Sequence, residues 1–371
     1  MDNFTSGCNL ERVLYRARNF MKEIKIGILT GGVSTEHEIS LLSGTFIAQT
    51  LDKDKYSVKL IPVTKEGDWL VTSNAETVIP SVDMEAKDPS HDFMTRFIQE
   101  NSVASFYGID MAKVDCDVIF IGLHGGAGEN GKLQGFLDMH NIPYTGSGVL
   151  ASALAMDKDK TACIYQLAGL KIPQTFAVRP GEEIPLALPQ YPLIVKPAGG
   201  GSSVGVVKVH NVKELKTEVD NILLSDTAII QEFISGREVS CGVLEKKTDN
   251  GFESVALPIT EVIPEAEFFD YQSKYTAGKT KEITPADLPA ELRDTIQKQA
   301  LLAHHEFGCQ GYSRTDFIIK NDTPYVLETN TLPGMTGTSL IPQQVAAAGM
   351  KIADVFDGLV ELALARKQKI N

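Results

Sequence analysis

Basic residues are in short supply: 35 Lys and Arg stand against 48 Asp and Glu in 371 residues, a formal net charge of -13. Nucleic acid and anionic membranes both reward positive surface, so neither is expected as a partner. Any phosphate chemistry must then rely on locally placed lysines and metal ions. Long apolar runs are missing too. No stretch approaches the roughly 20 residues a membrane helix needs, and the opening MDNFTSGCNLERVLYRARNF lacks a signal peptide's continuous apolar segment, so the chain is expected to stay in the cytoplasm. The five cysteines (Cys8, Cys116, Cys163, Cys241, Cys309) are scattered without the paired spacing of disulfide frameworks or zinc sites, and read as free thiols in a reducing compartment. What is abundant is apolar residues, 43% against 22% charged, enough at this length for two or three packed domains.

Residues 1–20 carry a weak helical pattern in Leu10, Val13 and Leu14 and read as a dispensable extension, because MKEIKIGILT opens the first strand-like run. Across 21–145 short apolar runs alternate with helical patterns, as in a parallel sheet flanked by helices. The strands expected are Ile24 to Thr30, Tyr56 to Val63, Val118 to Leu123 and Ile142 to Tyr144. The loops GGVSTE and HGGAGENG follow the first and third, and ligands gather at the carboxyl ends of such strands. A second region, 146–234, has a helix from about Asp157 to Gly169 and strands at Gln174 to Val178, Pro192 to Lys196, Val204 to His210 and Ala228 to Phe233. A third, 235–371, holds more strands, a helix ending near His305, a hairpin, and a polar loop (264–285) long enough to suggest a lid.

The strongest constellation is SRTDFIIKNDTPYVLETN, two strands joined at a turn on Asn321 and Asp322. Side chains alternate along a strand, so Arg314 and Asp316 share a face, as do Glu328 and Asn330. Residue 322 lies midway between Asp316 and Glu328, which sets those carboxylates across the hairpin from one another. Two facing carboxylates and an amide are oxygen donors suited to magnesium. In IVKPAGGGSSVGV a strand ends at Lys196 and a glycine-rich turn follows, so backbone N–H groups can close on phosphate oxygens beside a lysine charge. A strand rather than a helix follows, so this is not a Walker motif.

In GGVSTEHEIS, Thr35 and Glu38 fit a capping box for a helix whose buried face includes Ile39, Leu42 and Phe46. Glu36 then falls in the first turn, where it reads equally as a ligand contact or a helix-dipole partner. His124, in a glycine-rich loop at a strand end, reads as a structural histidine or a substrate contact. After Asn330, TNTLPGMTGTSLIP bends at Pro333, Gly334 and Gly337 and starts a helix after Ser339, whose N–H groups suit a substrate carboxylate.

Taken in order, GGVSTEHEIS, HGGAGENG, AMDK, KPAGGGSSVG, SGREV, FDYQSKY, SRTDF and ETNTLPGMTGTSLIP resemble the D-alanine:D-alanine ligases of the ATP-grasp superfamily, from about Lys22 to the C-terminus. The resemblance implies an α/β protein of ATP-grasp fold: a Rossmann-like parallel-sheet N-terminal domain (21–145), a small middle α+β domain (146–234) and a C-terminal α+β domain (235–371). It implies ATP between the last two, with Lys158 and Lys196 on its phosphates, Gln231, Glu232, Phe233 and Ile234 against adenine, and Glu238 on the ribose. Lys274, on the long loop, would reach the γ-phosphate. Asp316, Glu328 and Asn330 would bind two magnesium ions, with manganese able to substitute.

The same resemblance pairs the first D-alanine's ammonium with Glu36 and sets its carboxylate near His124. The second D-alanine's carboxylate falls to Ser339 and the Leu340 backbone. Arg314 and the Gly334 N–H would stabilise the oxyanion, and Glu36, Ser202 and Tyr275 would form a hydrogen-bonded triad linking loop to substrate. It also suggests a homodimer. Gln231 departs from the glutamate frequent in relatives. The competing readings are a ligase making D-alanyl-D-lactate or another ATP-grasp carboxylate–amine ligase, and, from another class, a nucleotide-binding regulator without catalysis. Tyr275 favours peptide over ester formation, and the intact set of lysines, Arg314 and metal ligands argues against the regulator.

Overall fold

The computed structural model describes residues 23–72, 77–84, 86, 88–101, 103–106, 114–201, 204–264 and 280–370. The N-terminal sheet is built on β1 (Ile24–Gly31), paired in parallel with β2 (Tyr56–Val63) through a crossover by α1 (His37–Thr50). Both strands are buried at nearly every residue, as expected where helices cover both faces. Two further strands join the outer edge antiparallel, β3 (Trp69–Thr72) and β4 (Val103–Phe106), with α2 (Pro89–Glu100) between them in the chain. On the other side β5 (Val118–Ile121) pairs with β1 in parallel, giving the order β4-β3-β2-β1-β5.

The sheet is therefore mixed rather than purely parallel. The expected strand Ile142 to Tyr144 is a single bridge between Ile119 and Tyr144, since Pro143 has no N–H with which to extend a ladder. Helix α1 begins at His37, with Glu36 at the N-cap position and no side-chain cap, so the expected capping box does not form. Glu38 pairs instead with Lys65 at 2.6 Å. The buried residues of α1 are His37, Ser40, Leu41, Ser43, Gly44, Thr45, Ile47 and Ala48; Ile39, Leu42 and Phe46 are only half-buried.

The short α3 (Gly126–Glu129) and α4 (Lys132–Met139) follow β5. Next come α5 (Val149–Met156), absent from the sequence expectation, and α6 (Lys158–Leu167), whose N-terminus the Asp157 carboxylate caps by accepting from Asp159 and Lys160 N–H. The middle sheet holds β6 (Thr175–Val178), β7 (Leu193–Pro197) and β8 (Val207–Val209); α7 (Val212–Ile222) leads to β9 (Ala228–Glu232). It is antiparallel in the order β6-β9-β7-β8 and has its own small core, in which Leu215 and Val219 of α7 meet Leu193, Val195 and Ile230.

The C-terminal sheet has β10 (Arg237–Thr248) at its centre, with β11 (Gly251–Ala256), β12 (Thr260–Pro264) and β13 (Thr280–Ile283) on one side. Helix α8 (Ala290–Glu306) covers one face, and β14 (Tyr312–Lys320) and β15 (Thr323–Asn330) form the expected hairpin on the other side of β10. The ends of the expected lid are zipped together, Pro264 opposite Thr280; residues 265–279 lie outside the described residues. Helices α9 (Leu340–Ala347) and α10 (Ile352–Ile370) finish the chain. Phe356 of α10 meets Phe46 and Phe120 edge-on at 6.2 and 5.3 Å, so N- and C-terminal regions share one core while the middle sheet keeps its own.

Candidate active site

One face of the C-terminal sheet collects the oxygen donors. In the ladders Ser240 lies opposite Asp316, Asp316 opposite Glu328, and Arg314 opposite Asn330, so cross-strand neighbours point to the same side. The Arg314 guanidinium holds Asp316 with two bonds, Nε to Oδ1 at 2.8 Å and a terminal nitrogen to Oδ2 at 2.7 Å, and Ser240 Oγ donates to Oδ1 at 2.6 Å. The expected repulsion between bare carboxylates is thus relieved on the Asp316 side by Arg314. Asn330 Oδ1 accepts the Leu332 N–H at 2.9 Å, which orients the amide at the head of the following loop. Among the described residues no group of three His, Cys, Asp or Glu side chains forms a metal cage. Two carboxylates plus an amide do fit a hard cation that takes its remaining oxygens from a phosphate substrate. A cation here would share Asp316 with Arg314 and Ser240.

The residues expected to receive the nucleotide lie between the middle sheet and β15. A cleft there is lined by Lys158, Lys196, Gln231, Thr175, Val326 and Leu327, among others. Lys158 opens α6 and its Nζ donates to the Gly200 carbonyl at 2.7 Å; Lys196, at the end of β7, donates to Gln231 Oε1 at 3.0 Å. Gln231 passes the bond on from Nε2 to Thr175 Oγ1 at 2.9 Å, a donation that an ionised glutamate at this position could not make. Of the remaining expected adenine contacts, Glu232 closes the antiparallel edge to Gln174, Phe233 lies under the Lys208 ammonium at 4.0 Å, and Ile234 is buried. Glu238 stands on β10 opposite Ile318, on the same face as Ser240 and Asp316.

The residues expected to receive the substrate lie on three segments that brace one another. Glu36 and Gly125 are in close contact: a Cβ on Gly125 would lie 2.8 Å from Glu36 Oε2, and Gly125 adopts φ +66, so glycine is required twice over. His124 is buried with both ring nitrogens engaged, Nδ1 with the Leu332 carbonyl at 3.0 Å and Nε2 with Ser43 Oγ at 2.7 Å. A carbonyl only accepts, so Nδ1 carries the proton and Nε2 accepts from Ser43. Burial, opposed by the nearby Glu36, lowers the His124 pKa and keeps the ring neutral. His124 is thereby a brace between α1 and the segment after Asn330, and a substrate contact would have to replace one of these bonds. Gly334 abuts Ser339, whose Oγ also accepts the Thr336 N–H at 3.0 Å at the start of α9. Ser202, Lys274 and Tyr275 lie outside the described residues.

Family models describe this arrangement in two parts: "D-ala D-ala ligase N-terminus" matches residues 25–147 and "D-ala D-ala ligase C-terminus" matches residues 182–361. The D-alanine--D-alanine ligase of Leptospira interrogans is 46% identical over 351 residues, covering 92% of this chain and 99% of that protein. The chain belongs to the D-alanine–D-alanine ligase family. It is an enzyme of the ATP-dependent ligase class, and its fold agrees with solved relatives. The Bacillus anthracis D-alanine--D-alanine ligase complexed with ATP superposes with a TM-score of 0.69 at 29% identity, covering 94% of this chain and all of that one. The VanG D-Ala:D-Ser ligase of Enterococcus faecalis superposes with a TM-score of 0.74 at 28% identity, covering 92% of this chain and all of its own.

Within this ligase fold, two residues at the site escaped the sequence reading. Glu129, in HGGAGENG, is buried and accepts the Gly125 N–H at 2.9 Å; burial pushes its pKa up to about 7, with Glu36 adding to the rise and Arg314 opposing it. Its place in a loop with a helical turn was the available signal, but burial was not visible. Gln344, fully buried on α9, accepts the Gly242 N–H and donates to the Ser240 carbonyl and Thr260 Oγ1 at 2.9, 2.9 and 3.1 Å. It ties the helix that starts at Ser339 to the strand whose Ser240 donates to Asp316. The four described cysteines are free, and no described helix is long and apolar enough to cross a membrane.

Proposed function

We propose that this chain condenses two molecules of D-alanine into D-alanyl-D-alanine at the expense of ATP, in the cytoplasm and as a homodimer, for peptidoglycan precursor synthesis. The observation that carries this reading is the double use of β15. Val326 and Leu327 line the cleft with Lys158, Lys196 and Gln231, and the next residues, Glu328 and Asn330, belong to the oxygen-donor face with Asp316. A phosphate chain entering past the lysines would therefore end among groups suited to magnesium.

The first D-alanine lies with its ammonium on Glu36, and a carboxylate oxygen attacks the γ-phosphorus of ATP. The bond to the β-phosphate oxygen breaks and ADP leaves. Asp316, Glu328 and Asn330 would hold two magnesium ions, with manganese able to substitute, and the metal supplies charge neutralisation on the phosphates. Lys158, Lys196 and Lys274 add positive charge along the same chain, while Gln231 to Ile234 and Glu238 receive adenosine. The amine of the second D-alanine, whose carboxylate rests on Ser339 and the Leu340 N–H, attacks the acyl carbon. Arg314 and the Gly334 N–H stabilise the oxyanion; such preorganised donors are usually the largest catalytic contribution. The carbon–oxygen bond to phosphate then breaks, and the amine gives up its proton. Glu36, Ser202 and Tyr275 link the loop 264–285 to the substrate. The domains are 21–145, 146–234 and 235–371, with 1–20 dispensable.

The test is phosphate release from ATP with D-alanine alone and with D-alanine paired with D-lactate or D-serine, followed by identification of the product. D-Alanyl-D-alanine as the main product supports the reading. A main product with D-lactate or D-serine at its second position moves the chain to another acceptor class, and ATP binding without phosphate release makes it a regulator.

A further inference from the structure

We propose that Asp226 is a positioning residue for the nucleotide, holding from behind the glycine loop that follows Lys196; this rests on reading that loop as a phosphate site. Three consecutive glycines, Gly199 to Gly201, offer no side chain for packing, and Gly200 at φ +81 has nothing within 4 Å of where a Cβ would stand. Such a segment loses much conformational entropy when ordered, so its backbone hydrogen bonds decide whether its N–H groups are preorganised. Described bonds of this kind converge on the start of the loop. Ala198 N–H donates to the Thr227 carbonyl at 2.8 Å, and the Ala198 carbonyl accepts the Lys158 N–H at 3.0 Å. Gly199 N–H donates to Asp226 Oδ2 at 2.9 Å, and Lys158 Nζ closes on the Gly200 carbonyl at 2.7 Å.

Asp226 is the carboxylate of this set, 27 residues along the chain from Gly199. Its other oxygen, Oδ1, accepts the Thr227 N–H at 2.7 Å, so one carboxylate joins the glycine loop to the start of β9. The contact is close: a Cβ on Gly199 would lie 3.1 Å from Oδ2. Gly199 directs its N–H to Asp226 and so does not itself offer it to a phosphate. Its function is to anchor, while Lys158 holds the same loop from the cleft side. Asp226 lines a different, open cavity with Asn130, Lys132 and Lys160, and is not among the residues that line the cleft beside Lys196.

The experiment measures KM for ATP, KM for D-alanine, kcat and melting temperature for D226A, D226N and K196A in the full chain. Losing one charge-assisted bond that orders a binding loop should raise the KM for ATP roughly ten-fold in D226A, with kcat and the KM for D-alanine changed less than about two-fold. D226N keeps one acceptor oxygen and should rise only about three-fold. The melting temperature should stay within about 3 degrees of wild type in both. The inference is overturned if the KM for ATP in D226A stays within about two-fold of wild type, or if both KM values, kcat and melting temperature all shift together, as for a residue that merely supports the fold. Should D226A fail to fold, D226N against wild type decides on the same split. K196A separates the two levels: a raised KM for ATP there with an unchanged one in D226A sinks the role of Asp226 alone, whereas no change in K196A removes the phosphate-site reading and the inference with it.

Discussion

Asp316 and Glu328 stand directly opposite one another across β14 and β15 only because the ladder slips by one residue beside them. Lys320 pairs with Thr323 and Phe317 with Val326, but the next pair is Asp316 with Glu328, leaving Leu327 as a bulge. Continued without interruption, the ladder would set Asp316 opposite Leu327 and turn Glu328 to the other side. Bulges commonly re-aim a side chain next to an active site. Here the bulge residue itself lines the cleft that holds Lys158 and Lys196.

Glu328→Gln should reduce turnover by more than the roughly 10–100-fold typical of changes one shell further from a metal, while circular dichroism and melting temperature stay close to wild type. Asp316→Asn should do the same to turnover but also lower stability, because Arg314 loses its two-bond partner. Activity should require a divalent cation. Near-normal rates in Glu328→Gln, or full activity in chelator, would show that the metal is held elsewhere.

Glu129 makes stability depend on pH. Its folded pKa of about 7 lies above the ordinary 4.5, so between those values the native protein keeps a proton that the unfolded chain has released. Its contribution to stability therefore falls as pH rises through that window and levels off above it. Urea unfolding of wild type and Glu129→Gln across this range should show the variant losing less stability on going to higher pH. Parallel curves would mean that Glu129 ionises normally.

Gly44→Ala tests the contact between α1 and β1. A Cβ there would stand 2.4 Å from both Cβ and Oγ1 of Thr30, whose hydroxyl donates to the Ser40 carbonyl. Overpacking of this kind costs about 1–3 kcal/mol, a drop of roughly 2–4 degrees in melting temperature per kcal/mol for a domain of this size. Because Glu36 is the N-cap residue of α1, the KM for D-alanine should rise as well. An unchanged melting temperature would show that the helix slides away at no cost.

Tyr275→Phe keeps the ring and removes a hydroxyl that can both donate and accept. One hydrogen bond at stake is roughly 1–3 kcal/mol, and specificity is a difference between two affinities. Peptide synthesis should fall and D-lactate should become a detectable acceptor, most clearly at lower pH where the competing amine is protonated. The quantity to follow is the ratio of kcat/KM for D-alanine and D-lactate as second substrate. An unchanged ratio at high activity would reduce Tyr275 to packing.

Local pattern was enough for much of this protein. The strand Tyr56–Val63 and the turn at Asn321 and Asp322, both at positive φ, were legible because periodicity and turn chemistry act within a few residues. The motif order was enough for the family, since glycines, lysines and carboxylates occur in a sequence that few folds would require. The facing of Asp316 and Glu328 was expected on a symmetric turn centred at 322. The structure reaches the same facing by a two-residue turn plus a bulge, which local propensity does not specify.

Other features belong to the tertiary structure alone. The capping box at Thr35 and Glu38 does not form: Glu36 takes the N-cap position, and Glu38 pairs with Lys65 from beyond β2. Glu129 is a buried acid because the packed fold closes over its loop, and His124 is a brace because Leu332 and Ser43 come to it from distant parts of the chain. Asp226 reaches Gly199 for the same reason. Hydrogen-bond partners and burial depend on which segments meet. A linear pattern can name the groups that do chemistry, but only packing decides which of them are already spoken for by the protein itself.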